Sequence, residues 1–197
     1  MANRHTLSAQ DWIKAAFLAL AAAGAQAIRA ERLAQTLGVS KGSFYWHFAD
    51  VPTLRAAMLA HWEDLATEQI IAAADSSGGD ASLRLTLLID MATSERADSY
   101  GGMATEAAIR DWARHDPAAA TALERVDARR QDYVAGLFNE AGHDPAAANR
   151  AGRLLYAALV GTEHLLQSPR EQVRQDLQHL LTTLLRPDRL SGSRFSI

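Results

Sequence analysis

Residues 30–48 read AERLAQTLGVSKGSFYWHF, and this run decides the fold. Leu33, Ala34 and Leu37 recur at helical spacing and make one apolar stripe. Gly38 stands where that short helix must stop, because a left-handed residue there carries no Cβ clash. Val39 plugs the corner with an apolar side chain. Ser40 then takes the N-cap of a second helix, its hydroxyl able to accept from the orphan N–H groups of the first turn. Two helices meeting across a turn of about three residues have helix-turn-helix spacing.

The second helix should run about two turns, with Phe44 and Phe48 on one face packed against Leu33, Leu37 and Val39. Gly42 and Trp46 lie opposite, Ser43 and Tyr45 flank them, Lys41 is one turn ahead and His47 sits near the helix end. Gly42 in a helix interior costs about 1 kcal/mol relative to Ala, so its place needs a reason, and close approach of another backbone supplies one. Tyr45, Trp46 and His47 could instead be ordinary core aromatics. That reading is the weaker, because Phe44 and Phe48 already fill the inward face of so short a helix. Lys, Ser and Tyr suit phosphate and base edges, so the outward set fits a helix entering the major groove.

The stretch from Ile28 to Leu54, and above all Leu37 to Phe48, closely resembles the DNA-binding domain of TetR-family transcriptional regulators. The resemblance implies an all-α homodimer: an N-terminal three-helix helix-turn-helix domain over residues 1–50, then a helical ligand-binding and dimerisation domain over 51–187. It places Ser40, Lys41, Gly42, Ser43, Tyr45, Trp46 and His47 at DNA-facing positions. Many relatives carry Thr where this chain has Ala30, and Lys where it has Val51, both at phosphate-contact positions. Arg29 is the candidate to take over part of that role. The implied function is a repressor that binds a palindromic double-stranded operator and is released by a small-molecule effector.

The chain of 197 residues is long enough for one sizeable core or for a small domain joined to a larger one. It is rich in Ala, 48% apolar and without alternating segments, which favours helix over strand. The net charge of −3 argues at first against a nucleic-acid partner, but its distribution reverses that. Through Ala60, six basic side chains face three acidic ones, so the head carries +3 and the remainder −6. With no cysteine, disulfides and thiolate metal sites are excluded, and a reducing cytoplasm is compatible. The apolar run Trp12 to Ala23 mimics a signal peptide, with Ala25-Gln26-Ala27 as its cleavage site. Lys14 interrupts it, and Ile13, Ala16, Phe17 and Leu20 form an amphipathic stripe, so a core helix is expected. No segment approaches the roughly 18 apolar residues of a membrane span.

Punctuation divides the chain into about nine helices. Ser8 caps the first, which runs to Ala23 before Gly24. Asp50 caps a fourth, with Pro52 in its first turn and an apolar pattern continuing through Trp62 towards Ala74. A fifth covers about Ala81 to Ser94, and a sixth about Met103 to Arg114. Asp116-Pro117, Asp144-Pro145 and Ser168-Pro169 each put a capping residue before a first-turn proline. The tail over 188–197 is expected to fray.

The last two long helices carry apolar stripes. Leu154, Leu155, Ala158, Leu159, Thr162, Leu165 and Leu166 line one, while Val173, Leu177, Leu180, Leu181, Leu184 and Leu185 line the other. Periodicity alone leaves open whether these close the chain's own core or face a partner. The resemblance implies the partner, a four-helix dimer interface. Trp62, Met91, Met103, Trp112, Tyr133, Phe138 and Tyr156 are the large residues that suit an apolar ligand pocket, although most such residues are ordinary core.

Seven histidines invite a metal or catalytic reading that their spacing discourages. Asp111 and His115 make two ligands at most, and no HExxH pair, phosphate loop or nucleophile elbow is present. No cofactor and no enzymatic activity are therefore expected. A helical small-molecule-binding protein with weakened DNA recognition and an all-helical enzyme remain the two alternatives.

Overall fold

A computed structural model describes residues 7–94, 100, 102–164 and 169–186 of the chain, with side chains 102, 103, 163 and 164 left aside. The described residues are helical, with no strand among them. In chain order the helices are α1 (Ala9–Ala23), α2 (Ala30–Thr36), α3 (Lys41–Phe44), α4 (Val51–Glu63), α5 (Gln69–Ser76), α6 (Ala81–Ala92), α7 (Gly102–Ala113), α8 (Pro117–Glu140), α9 (Pro145–His164) and α10 (Arg170–Leu184). A π-helical segment, Asp64–Glu68, joins α4 to α5. Counted as one rod, these make nine helices among the described residues, the architecture expected from the punctuation.

The caps explain where several helices begin. Ser8 and Asp11 form a reciprocal capping box, with the Ser8 N–H donating to Asp11 Oδ2 at 2.7 Å and the Asp11 N–H donating to Ser8 Oγ at 3.3 Å. Asp50 and Asp80 accept from the backbone N–H groups of Thr53 and Leu83, each at 2.8 Å. Asp116 and Asp144 do the same for α8 and α9. α10 departs from this pattern, since Pro169 itself occupies the N-cap and Ser168 lies outside the described residues. The rod that starts at Val51 also departs from a plain α-helix, because the Gln69 N–H reaches back to the Asp64 carbonyl, and Thr67 is buried within that π turn.

Two compact units are formed, one from the described residues up to Gln69 with those from 100 to 127, the other from 70–94 with those beyond 127. In the first unit Trp12, Ile13, Ala16, Phe17 and Leu20 of α1 pack in one core with Leu33, Phe44, Phe48, Leu54, Met58 and Trp62. Ile109 and Trp112 of α7 and Ala119, Ala122 and Val126 of α8 complete it. The predicted stripe of α1 is thus the buried one, with Trp12 added.

In the second unit Leu85 and Ile89, Leu137 and Phe138, Ala151 and Leu155, and Val173, Leu177 and Leu181 share a separate core. The α10 stripe therefore closes this chain's own core through Val173, Leu177 and Leu181, and Leu155 of α9 joins it. Leu154, Ala157 and Gly161 of α9 face outward instead, on one face by their spacing. Leu165 and Leu166 and the tail over 188–197 lie outside the described residues. Polar ties reinforce the packing: Arg84 pairs with Asp75 and Glu140, Tyr133 donates to Asp75 at 2.5 Å, and Gln178 donates to Asp90 at 2.9 Å.

Two glycines distinguish an open helix face from a tight crossing. A Cβ on Gly136 in α8 would meet nothing within 4 Å, whereas one on Gly152 in α9 would lie 3.1 Å from the Ala135 nitrogen and 3.2 Å from its Cα. Gly136→Ala should therefore raise stability by about 0.5–1 kcal/mol through helix propensity. Gly152→Ala should lower it by about 1 kcal/mol, because overpacking against backbone outweighs the same propensity gain. Urea midpoints of the two variants check this, and equal gains would contradict a close α8–α9 crossing.

Candidate nucleic-acid interface

The corner closes as its residue types require. Gly38 has φ +68°, the left-handed value expected of it. The Val39 N–H donates to the Ala34 carbonyl at 3.0 Å and the Gly38 N–H to the Gln35 carbonyl at 3.2 Å, which together make a Schellman motif. Val39 and Leu37 pack on the core of the first unit.

The second helix is shorter than expected. α3 is helical only from Lys41 to Phe44, and residues 45–47 form a turn in which the His47 and Phe48 N–H groups both donate to the Phe44 carbonyl at 3.0 Å. That shared acceptor ends the helix yet keeps Phe48 on the Phe44 face. Ser40 occupies the N-cap position, but its hydroxyl makes no capping hydrogen bond. The turn is held instead by the Ser43 N–H donating to the Ser40 carbonyl at 3.0 Å.

Burial sorts the segment into two faces. Phe44 is fully buried, edge-on to Trp12 at 5.4 Å and 5.7 Å from Phe48. Burying such a ring stabilises the fold by about 2 kcal/mol or more. Outward, Trp46 is 88% and Tyr45 54% exposed, while Arg29, Ser40, Lys41 and Gly42 are also exposed. Ser43 and His47 are half-buried, and the His47 ring lies 6.5 Å from that of Trp12. Of the two positions that the resemblance marks as expected phosphate contacts, Ala30 is buried and Val51 packs partly on the core. Arg29, at the N-cap of α2, remains in solvent.

Gly42 has no internal reason to be glycine. Its φ is not positive, and an added Cβ would meet only Ser40 Oγ at an ordinary 3.7 Å. Lys41, by contrast, has an internal partner, since its ammonium pairs with the Glu31 carboxylate of α2. The hydrogen bond from Lys41 holds the Glu31 carboxyl below its ordinary value, and the same bond raises the Lys41 ammonium.

Sequence reasoning missed the residue that ties this head to the rest of its unit. Arg55 of α4 donates to the Ala25 carbonyl at 3.1 Å, lies 3.9 Å from the Asp116 carboxylate and stacks over the Trp112 ring at 5.7 Å. Its three contacts come from residues 30, 61 and 57 positions away, so no local pattern announces them. Nearby, Trp62 donates to Glu106 at 3.0 Å, and Arg110 bridges Glu106 and Asp127 at 3.1 and 2.8 Å.

The large residues proposed for a ligand site are divided between the units. Trp62 and Trp112 belong to the first core, while Phe138 is fully buried in the second, and Tyr156 accepts from Arg130 at 3.2 Å. Met91 and Tyr133 are half-buried in the second unit, and the Met103 side chain lies outside the described residues. No group of three metal-ligating side chains occurs among the described residues, and no described helix is long and apolar enough to cross a membrane.

Residues 13–58 match the family model of bacterial regulatory proteins of the tetR family. Among solved structures, the chain is similar to a transcriptional regulator from Rhodococcus sp. Rha1, with 20% identity over 91% of this chain and 96% of the other and a TM-score of 0.74. A TetR-family transcriptional regulator from Streptomyces coelicolor aligns at 20% identity over 90% and 87%, TM-score 0.73. A TetR transcriptional regulator from Legionella pneumophila aligns at 14% identity over 94% and 99%, again with TM-score 0.73. At these identities the solved structures establish the fold alone. Comparison with curated proteins finds no match.

Asp50, which caps α4 directly after the exposed segment, gives this region an acid dependence. Its carboxyl is held below the ordinary value, first by the Thr53 hydroxyl at 2.7 Å and then by the Thr53 N–H. A depressed carboxyl contributes stability above its unfolded pKa and loses it as pH falls through the folded value. The thermal midpoint should drop between about pH 5 and about pH 3. Asp50→Asn should flatten part of that drop while leaving the neutral-pH midpoint nearly unchanged, because Asn caps as well as Asp.

Proposed function

We propose that this chain, whose residues 13–58 match the family model of bacterial regulatory proteins of the tetR family, is a repressor of that family that binds a palindromic DNA operator as a homodimer and leaves it when a small-molecule effector binds. The observation that carries the reading is the two-faced segment from Lys41 to Phe48. Phe44 and Phe48 are committed to the core, while Trp46 is a large aromatic held in solvent and Tyr45, edge-on to Phe44 at 5.3 Å, is still 54% exposed. Gly42, open on its own side, suits the close approach of a DNA backbone. Arg29, Ser40, Lys41, Gly42, Ser43, Tyr45, Trp46 and His47 are the proposed DNA-facing set.

Residues 1–50 act as the DNA-binding domain in this reading and 51–187 as the ligand-binding and dimerisation domain, in the cytoplasm where the DNA is. Two copies would present their recognition segments to half-sites about one helical turn apart or a multiple of it. The last two long helices are the proposed contact with the second copy, through the faces of α9 and α10 that the core leaves open, with Ala157 and Gly161 beside Leu154 allowing close helix approach.

Arg55 supplies a physical route for release. It ties α4 to the Ala25 carbonyl on the head side and to Trp112 and Asp116 at the junction of α7 and α8. An effector that favours a different placement of α7 would therefore bias α4 and the head together, by about 1–3 kcal/mol of coupling. Trp62 and Trp112, with Glu106 and Arg110 beside them, are the proposed first contacts of that effector. Met91, Met103, Tyr133, Phe138 and Tyr156 are the remaining candidates.

An electrophoretic shift with the DNA upstream of the chain's own gene tests the reading. Tyr45→Ala, Trp46→Ala and Gly42→Ala should each weaken the shift by about tenfold or more, with thermal midpoints unchanged or, for Gly42→Ala, slightly raised. A wild-type protein that shifts no duplex, or variants that bind as wild type does, would refute it.

A further inference from the structure

Lys41 is the cation nearest the start of the recognition segment, yet in the free protein it is already engaged. Its ammonium pairs with Glu31 on the first turn of α2. Both side chains are substantially exposed, 48% for Lys41 and 65% for Glu31, so the pair stands on the surface that the reading above gives to DNA. The carboxylate sits in solvent at the first turn of α2, near its own backbone N–H, and it cancels the one charge of α3 that a phosphate would seek. A lysine that neutralises a DNA phosphate releases about one counterion and adds about one unit to the salt slope. A lysine still bound to a carboxylate does neither.

We infer that Glu31 is an affinity-setting residue: its carboxylate holds Lys41 in a surface ion pair that a DNA phosphate has to displace, so the head binds duplex more weakly and with a shallower salt dependence than its cations alone would give. The inference rests on the DNA-binding reading. Exchange between the two acceptors is physically easy, because an exposed ion pair in water is weak and salt-screened. Glu31 therefore lowers affinity without locking the head, and it does so for any sequence, since phosphate carries no base information. The ratio of operator to random-duplex affinity is left unchanged, because both lose the same phosphate term.

The test uses the full chain and a random-sequence duplex of about 30 base pairs, with binding followed by fluorescence anisotropy across a salt series. Glu31→Gln should tighten binding about two- to fivefold at low salt and steepen the log–log salt slope by up to about one unit. Lys41→Gln should weaken binding and flatten the slope. The double variant Glu31→Gln/Lys41→Gln should bind as Lys41→Gln alone does, because the carboxylate acts through the lysine. If Glu31→Gln tightens binding equally with and without Lys41, Glu31 merely repels DNA and the inference is overturned. Wild-type binding that Glu31→Gln leaves unchanged overturns the inference and spares the DNA-binding reading. Failure of both proteins to bind any duplex at low salt overturns both, even where NMR titration of the free protein still finds the Glu31 carboxyl below its ordinary value.

Discussion

Phe44 is where the chain commits its recognition segment. The ring is fully buried against Trp12 of α1 and Phe48, and its carbonyl accepts from both His47 and Phe48. One residue thus sets the rotation of α3 about its axis, ends that helix after four residues and brings Phe48 back to the same core. Once Phe44 points in, Tyr45 and Trp46 have no inward direction left, and Gly42 lies on the open side. The exposure of two large aromatics is a geometric consequence of one buried ring. Without an external partner it would be a liability that the packing has no means of repairing.

The same logic of commitment extends through the first unit. Its core contains the helices of the corner together with α4, α7 and the first turns of α8, so the head packs directly on elements far along the chain. Arg55 adds a directional contact to this apolar continuity, joining the Ala25 carbonyl to Trp112 and Asp116. Apolar packing is tolerant of small shifts, whereas a guanidinium held by a carbonyl, a carboxylate and an indole is not. In the proposed release mechanism, that contrast would make Arg55 a better carrier of the signal than the leucines around it.

Much of this was legible in the sequence because it is local. Gly38 needed only its left-handed turn, Ser8 and Asp50 only their own first turns, and the pairing of Phe44 with Phe48 only the helical period. The extent of α3 was not legible, because two N–H groups competing for the Phe44 carbonyl leave no compositional mark. Ser40 has the right residue type for a cap and makes no capping bond, since backbone closure to Ser43 already holds that turn. The leucines of α10 show the limit of periodicity. Val173, Leu177 and Leu181 form a flawless stripe, and only their tertiary partners reveal that the stripe closes the chain's own core. Arg55 was invisible because its partners lie 30 to 61 positions away, and the Glu31–Lys41 pair because it forms across a turn between two helices, where no single helical period applies. Charge counting had placed Lys41 and Glu31 on opposite sides of a sum without hinting that they meet.

In the proposed function DNA is held on the outer face of the segment after Phe44, and the tryptophans of this protein report on it directly. Of the four, Trp12, Trp62 and Trp112 are buried, at 0%, 5% and 5% exposure, and Trp46 is at 88%. Acrylamide quenching of intrinsic fluorescence therefore reads mainly Trp46. On adding duplex from upstream of the chain's own gene, the quenchable component should become protected, and Trp46→Phe should abolish both that component and its response. Formation of a DNA complex with Trp46 as open to quencher as before would contradict the account.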